Sequence, residues 1–418
     1  MQAKILNPKK LIISKQHLQI KNVTLDDEPY LVTCLFEDNK MVEINCKKSS
    51  DESILGNIYI GRVQNIVKNV NAAFIDIGNG KKGFYSLEDY KSPVFIKKNG
   101  KKPLSIGDEL LVQVAKDPIK TKDPVLSTNL NFTGKYLVLT SENHTLGISS
   151  KIGKESRTRF KTLLSNQSLN EYGIIIRTNA KDASDESIFN ELSQLEHLYQ
   201  ETVTYAKNRV TFTCLYEAPR DEMKLLKDLD WKDLDEIVTD DIEIFESFVN
   251  YLKQSKTEDF LLSKIRFYED DNFSLVKMYN IEKQLECALK KNVWLKSGAY
   301  LVIEQTEALT VIDVNSGKNI AKKSAQENHF KINIEAAKEI AAQLRLRNIS
   351  GICIIDFISM DNPEYEIKLM EEMSNLCKKD KIPTQLIDIT KLGLVELTRK
   401  KVKKSLIEQI YTQKNIDE

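Results

Sequence analysis

The sequence has little of what marks a disordered, fibrous or disulfide-stapled chain. Its 418 residues include only 15 Gly and 9 Pro, too few for a low-complexity or collagen-like polypeptide. The six cysteines (Cys34, Cys46, Cys214, Cys287, Cys353, Cys377) are scattered without a CxxC pair, so buried reduced thiols are expected rather than a zinc site or a disulfide framework. Long apolar runs are missing. The longest uncharged stretch, Pro124 to Gly134, falls far short of the roughly 18 apolar residues a membrane span needs. Net charge is missing too: 61 basic and 61 acidic residues cancel, so any footprint for nucleic acid must be local. The opening residues, MQAKILNPKKLIISKQHLQI, offer neither a signal-peptide core nor an Arg- and Ser-rich transit segment. A protein that works where it is made, in a reducing compartment, is expected. Arginine is scarce, 10 of the 61 basic residues, while Lys, Asn and Ile are plentiful. That bias is what an AT-rich genome writes, plastid or bacterial, and it bears on origin rather than mechanism.

What is present suffices for a core and a wet surface, with 41% apolar and 29% charged residues. At about 150 residues per domain the length predicts two to three domains. Residues 1–29 read as a polar, weakly patterned extension. Tyr30 to Phe36 and Lys40 to Cys46 read as a hairpin around Glu37-Asp38-Asn39. Five short strands follow (58–67, 72–77, 82–86, 109–115, 124–129), which predicts a small closed barrel with residues 97–102 as a loop insertion. Strands at 136–140 and 172–177 precede a helix over 185–207, and an amphipathic helix is expected near 281–289. The last third reads strand 299–304, strand 308–315, helix 334–347, strand 351–358, helix 363–378 and strand 384–389. This alternation predicts an α/β unit with a largely parallel, helix-covered sheet.

Three constellations could carry chemistry. In EALTVIDVNSG, residues 307–317, Asp313 and Asn315 leave a strand on the same face. In GICIIDFISM, residues 351–360, Asp356 ends the run Ile352-Cys353-Ile354-Ile355, which reads as a central, fully buried strand. Either aspartate alone is better read as a turn or strand-cap residue. Together, one supersecondary unit apart, they favour an oxygen-only site for Mg²⁺. In the barrel, Tyr59, Phe74, Phe84 and Tyr85 are interleaved with Lys68, Lys81, Lys82, Lys116 and Lys122. Aromatic faces with a basic rim suit single-stranded nucleic acid, though Phe74 and Phe84 could equally fill the barrel. In GIIIRTNA, residues 173–180, Arg177 and Thr178 close an apolar strand, a pair suited to a terminal phosphate. The basic run RKKVKK, residues 399–404, reads as a solvated helix face rather than an RNA contact.

These motifs carry a resemblance. VIDVNSG, NIEAAKEIAAQLRLRNISGICIIDFISM and LGLVELTRKK resemble the catalytic region of the ribonuclease E/G family. GNIYIGRVQNIVKNVNAAFIDIGNGKKGFYSL is similar to that family's S1 domain, and GIIIRTNA to its 5′-sensor segment, in the family's order over roughly residues 30–404. The resemblance implies an α/β composite: an extension (1–29), an RNase H-like part in two segments (30–50 and 214–290), an S1 or OB-type barrel (51–130), a 5′-sensor (131–213), a DNase I-like catalytic subdomain (291–404) and a tail (405–418). It implies an endoribonuclease cutting single-stranded, A/U-rich RNA with preference for 5′-monophosphorylated ends, in processing of polycistronic mRNA and ribosomal RNA precursors and in decay. By motif match Asp313 and Asp356 hold Mg²⁺ and Asn315 orients them. Phe74, Phe84 and Lys122 grip RNA next to the cut, and Arg177, Thr178 and the backbone near Val138 form the 5′-phosphate pocket. Two departures stand out. No CPxCxG zinc-link follows LGLVELTRKK, so no zinc and no zinc-bridged dimer are predicted, and homo-oligomerisation is left open. Where the family often has two Arg after GIS, this chain has Ser150 and Lys151, which predicts weaker 5′-end discrimination. The family's long scaffold tail is not seen either. The alternative from another class is a non-catalytic S1-type RNA-binding factor, and a DNA-directed nuclease is disfavoured by the S1-like barrel. Single-stranded RNA is the expected partner, in the plastid stroma if the chain is plastid-encoded, otherwise in a bacterial cytoplasm.

Overall fold

A strand lies where the sequence reads as an extension: Lys9–Gln16 (β1) buries Leu11, Ile12, Ile13 and Ser14 in succession. A strand covered on both faces shows a short continuous apolar run rather than alternation, and the flanking lysines hide it. Tyr30–Glu37 (β2) and Lys40–Lys48 (β3) form the expected hairpin. Asp38 and Asn39 take φ of 51° and 60°, the left-handed pair that a two-residue turn demands. The computed structural model describes residues 8–411, apart from 22, 24, 52, 92, 119–121, 166, 168, 229–233, 255–258, 271 and 318–324. The first seven residues of the expected extension and the last seven of the expected tail therefore lie outside the described residues. The chain divides into two units, residues 1–51 with 231–418, and residues 52–230.

The second unit begins with the barrel. Ile58–Val67 (β4), Ala72–Gly78 (β5), Lys81–Ser86 (β6), Phe95–Lys97 (β7), Glu109–Lys116 (β8) and Val125–Ser127 (β9) join in the order β4-β5-β6-β9-β8, and β8 pairs back to β4 to close the ring. The short β7, which hydrogen-bonds to β8, overlaps the start of the stretch read as a loop insertion. Ala73, Ile75, Tyr85, Leu110, Val112 and Leu126 fill the interior. Gly83 faces inward because a Cβ there would run into Leu126. Asn131–Thr133 (β10), Leu137–Thr140 (β11), Leu146–Ile148 (β12) and Gly173–Ile176 (β13) build a second sheet in the order β10-β11-β13-β12. Lys154–Leu163 (α1) and Asp185–Ala206 (α2) supply Phe160, Ile188 and Leu192 to its core. Cys214–Tyr216 (β14) then pairs with β4, and Asp221–Asp228 (α3) follows.

Back in the first unit, Glu236–Thr239 (β15) runs parallel to β1, and Ile265–Phe267 (β16) parallel to β15. The sheet order is β16-β15-β1-β2-β3. Ile242–Gln254 (α4), Asp259–Leu262 (α5), Leu275–Met278 (α6) and Ile281–Leu289 (α7) accompany it. The last sheet contains Asn292–Trp294 (β17), Tyr300–Gln305 (β18), Leu309–Asn315 (β19), Gly351–Asp356 (β20), Thr384–Ile389 (β21) and Val395–Arg399 (β22) in the order β17-β18-β19-β20-β22-β21. Its helices are Ala325–Leu346 (α8) and Pro363–Lys379 (α9), with Leu406–Ile410 (α10) near the end of the described chain. Asn362 caps α9 by accepting the Glu364 N–H at 3.0 Å, with Pro363 in the first turn, as the sequence predicts.

Two expectations for this sheet are corrected. It is mostly antiparallel: among the described residues β19 and β20 are the one hydrogen-bonded pair that runs parallel, joined by the α8 crossover, while short turns join β17–β18–β19 and β21–β22 and the α9 connection sets β21 beyond β22 rather than beside β20. The strand Ile352-Cys353-Ile354-Ile355 is central but not fully buried. Cys353 and Ile355 pack under α8 and α9, whereas Ile352 is 50% exposed. One face of the sheet is covered and the other is open. Among the described residues no helix is long and apolar enough to cross a membrane.

Candidate functional site

Along β19 the buried residues are Thr310, Ile312 and Val314, so Val311, Asp313 and Asn315 face the open side. Along β20 the same parity puts Ile352, Ile354 and Asp356 on that side. The parallel register aligns Asp313 directly with Asp356. Two sequence-distant carboxylates thus stand side by side on one open face, in strands spaced about 4.8 Å apart. Asn315, two residues on and on the same face, donates from Nδ2 to Asp313 Oδ2 at 2.6 Å. That bond leaves the second Asp313 oxygen for another partner. Carboxylates spaced this way, with water completing the shell, suit a small hard cation.

A second set of residues holds the loop after Asp356. The amide of Asn333, fully buried on α8, accepts the Ile358 N–H at 3.1 Å and donates to the Ile358 carbonyl at 2.8 Å. Gln326 donates to Asp361 Oδ2 at 2.6 Å and accepts the Asp361 N–H at 2.8 Å. His329 Nδ1 lies 3.2 Å from the Ser359 carbonyl. These residues sit at i, i+3 and i+7 of one helix face. The sequence reading missed them because it starts this helix at Ile334, where the apolar stripe begins, while the polar residues before it already form two helical turns.

On the barrel, Phe74 and Phe84 are directly paired and half-buried on the outer face, with rings 6.1 Å apart edge to face. They do not fill the barrel, whose interior parity belongs to Ala73, Ile75, Gly83 and Tyr85. Their row continues through Val125 to the exposed Lys116. Lys122 is exposed two residues before Pro124, whose carbonyl accepts the Phe84 N–H at 2.8 Å. Lys81 and Lys82 are exposed on β6. The two tyrosines expected to offer faces to bases are corrected. Tyr85 is fully buried, bonded to Thr128 Oγ1 at 3.2 Å, and burial pushes its hydroxyl up to about 12. Tyr59 packs against the barrel core, its hydroxyl accepting from Asn57 at 3.2 Å.

In the second sheet of this unit, Val138 pairs with Ile175 on the outward side, and Arg177 follows two residues later. Arg177 is half-buried rather than free at the strand end, with Nη1 donating to the Gly134 carbonyl at 2.7 Å. Thr178 shares a 2.9 Å hydroxyl contact with Ser149. Arg157 on α1 donates to the Ser149 carbonyl at 2.9 Å, so a basic side chain does stand beside the GIS segment. Glu191 on α2 shapes the neighbouring turn, accepting the N–H groups of Lys135, Tyr136 and Leu137 at 2.7–2.8 Å.

The run RKKVKK is not a helix face. Arg399 ends β22 nearly buried, paired with Asp380 at 2.8 Å and donating to Asn348 and Ile349, while Lys400 to Lys404 are an exposed loop. The cysteines are free. Burial pushes Cys46 up to about 12 and Cys353 and Cys377 to about 11, but Cys287 is exposed, against the expectation of uniformly buried thiols.

Comparison with known proteins gives this geometry its context. Residues 131–402 match the Ribonuclease E/G family. The chain is 33% identical over 383 residues to ribonuclease G of Haemophilus influenzae, covering 89% of this chain and 77% of that protein. It is 32% identical over 375 residues to ribonuclease G of Escherichia coli K12, covering 87% and 76%. To ribonuclease E of the cyanobacterium Synechocystis it is 33% identical over 411 residues, covering 96% of this chain and 58% of that one. The protein belongs to the ribonuclease E/G family. It is an endoribonuclease of that type, acting in RNA processing and decay.

Proposed function

We propose that this enzyme is a Mg²⁺-dependent endonuclease for single-stranded, A/U-rich RNA, with preference for 5′-monophosphorylated ends, acting on polycistronic mRNA and ribosomal RNA precursors. The observation that carries the reading is the register pairing of Asp313 with Asp356 on an open face, with Asn315 fixing one carboxylate. Hard oxygen donors with solvent on the free side fit Mg²⁺, which keeps several of its waters when bound. Asp313 and Asp356 hold the ion, and Asn315 keeps the Asp313 carboxylate turned toward it. When bound, the ion supplies an activated water and charge stabilisation at the scissile phosphate. Gln326, His329 and Asn333 keep the Asp356 loop in place through its backbone.

The other expected roles follow the same division. Phe74 and Phe84 stack bases, and Lys122 with its neighbours meets phosphates. Arg177, Thr178 and the backbone near Val138 receive the 5′-phosphate, with Arg157 and Lys151 the nearby cations in sequence. The two-segment sheet of β1–β3 with β15–β16 supports an RNase H-like assignment, the closed barrel an S1 assignment, and β17–β22 with α8 and α9 a DNase I-like one. The lysine-for-arginine bias and the cyanobacterial relative support a plastid-encoded enzyme of the stroma.

Single-turnover cleavage of an A/U-rich single-stranded RNA, with Mg²⁺ or with EDTA, tests the centre. Wild type cuts only with Mg²⁺, and Asp313→Asn and Asp356→Asn fall to background while still binding RNA. Retained Mg²⁺-dependent turnover in either variant would remove these residues from the site.

A further inference from the structure

Trp294 is 69% exposed on β17, while its neighbour Val293 takes the core side of the strand. An indole left in water on a strand that already has its core anchor calls for an explanation, because its burial would be favourable. The register supplies one. Trp294 pairs with Tyr300 on β18, and Tyr300 pairs with Asn315 on β19. The two rings lie 5.0 Å apart at 46°. Trp294, Tyr300 and Asn315 therefore form one row across the open face. The next row, two residues along, is Asn292, Val302, Asp313 and Asp356.

We infer that Trp294, backed by Tyr300, is the stacking platform for the base of a nucleotide beside the scissile phosphate, so that the catalytic sheet itself selects and positions RNA. This rests on the assignment of Asp313 and Asp356 to the metal. A phosphate at those carboxylates must approach from the open face, since the opposite face is filled by the core under α8 and α9. Past Asn315 the sheet offers two further strands, about 4.8 Å each, and both present aromatic rings. In the other direction no strand partners Asp356, because β22 starts level with Ile355. The aromatic side is thus the supported side for a flanking nucleotide. A second copy of the chain is the poorer occupant, because a protein covering Trp294 would also crowd the adjoining row that carries Asp313. Stacking on an indole is tolerant of base identity, so the platform requires an unpaired base rather than a sequence.

The test compares single-turnover cleavage by wild type, Trp294→Ala and Trp294→Phe on a 5′-monophosphorylated A/U-rich oligoribonucleotide, intact or with one abasic ribose at successive positions. Trp294→Ala slows cleavage at subsaturating RNA by about 5- to 150-fold, and Trp294→Phe recovers most of it. An abasic ribose next to the cut slows wild type but not Trp294→Ala, whereas one far from it slows both alike. Wild-type rates in Trp294→Ala, or the same abasic penalty in both proteins at every position, would overturn the inference. So would a Trp294→Ala defect that tracks loss of a dimer in sedimentation and disappears at high protein concentration. Failure of the metal assignment reads differently, as activity retained in Asp313→Asn.

Discussion

At Asp313 one hydrogen bond decides which oxygen is available. The carboxylate could rotate about its side-chain torsions, but Asn315 Nδ2 at 2.6 Å holds Oδ2, and both residues owe their shared face to the period of the strand. Arg177 follows a similar logic with a different outcome. Part of its guanidinium is committed to the Gly134 carbonyl, which fixes the plane of the fork at the end of β13. Arg177→Ala is expected to narrow the gap between 5′-monophosphorylated and 5′-triphosphorylated substrates by about tenfold, measured by cleaving both RNAs in one reaction. Equal slowing of both substrates would assign Arg177 a purely structural role.

Among the elements, β1 shows how a central strand is secured at its rim. Lys10 on β1 and Arg266 on β16 both reach Glu236 on β15, at 3.0 and 2.7 Å. Burial pushes the Glu236 carboxyl up, but the hydrogen bonds and charges of Arg266 and Lys10 outweigh it and leave it below the ordinary value of 4.5. A carboxyl lowered on folding stabilises the native state above its unfolded pKa, and that contribution fades as pH falls through the folded one. Glu236→Gln should therefore lower stability near pH 7 by about 0.5–1.5 kcal/mol, as expected of two partly exposed pairs. The deficit should shrink as the pH drops below about 4, followed by urea unfolding at both pH values. An equal deficit at both would assign the loss to packing instead of charge. Helix α8 has a comparable division of labour along its length: its polar first turns hold the Asp356 loop, and its later turns bury Ile340 and Leu344 in the sheet.

Across the whole molecule, the proposed grip of the barrel on RNA and the proposed metal centre belong to separate contact units, residues 52–230 and residues 1–51 with 231–418. Mutations should therefore separate binding from catalysis. Phe84→Ala is expected to weaken binding of a short single-stranded RNA by about 5- to 150-fold with little change in the rate at saturating RNA. Asp356→Asn is expected to do the reverse. Filter binding and single-turnover cleavage on the same oligonucleotide distinguish them, and coupled loss of both in either variant would contradict the division.

Local pattern was enough to read the barrel strands, the β2–β3 hairpin, the Asn362-Pro363 helix start and the shared face of Asp313 and Asn315, because turn residues and strand period are properties of neighbours in sequence. It was not enough for β1, which becomes a central strand only by pairing with β15 more than 200 residues away, nor for the first turns of α8, whose contacts are polar. Nor could it separate Phe74 and Phe84 from Tyr85, since alternation defines two faces without saying which one points into the barrel. The direct pairing of Asp313 with Asp356 and the row linking Trp294 to Asn315 are likewise matters of register. The sequence determined which side chains share a strand face. Only the tertiary structure decided the rest: hydrogen bonding between strands set which rows meet, and helix packing set which face is covered and which stays open to a substrate.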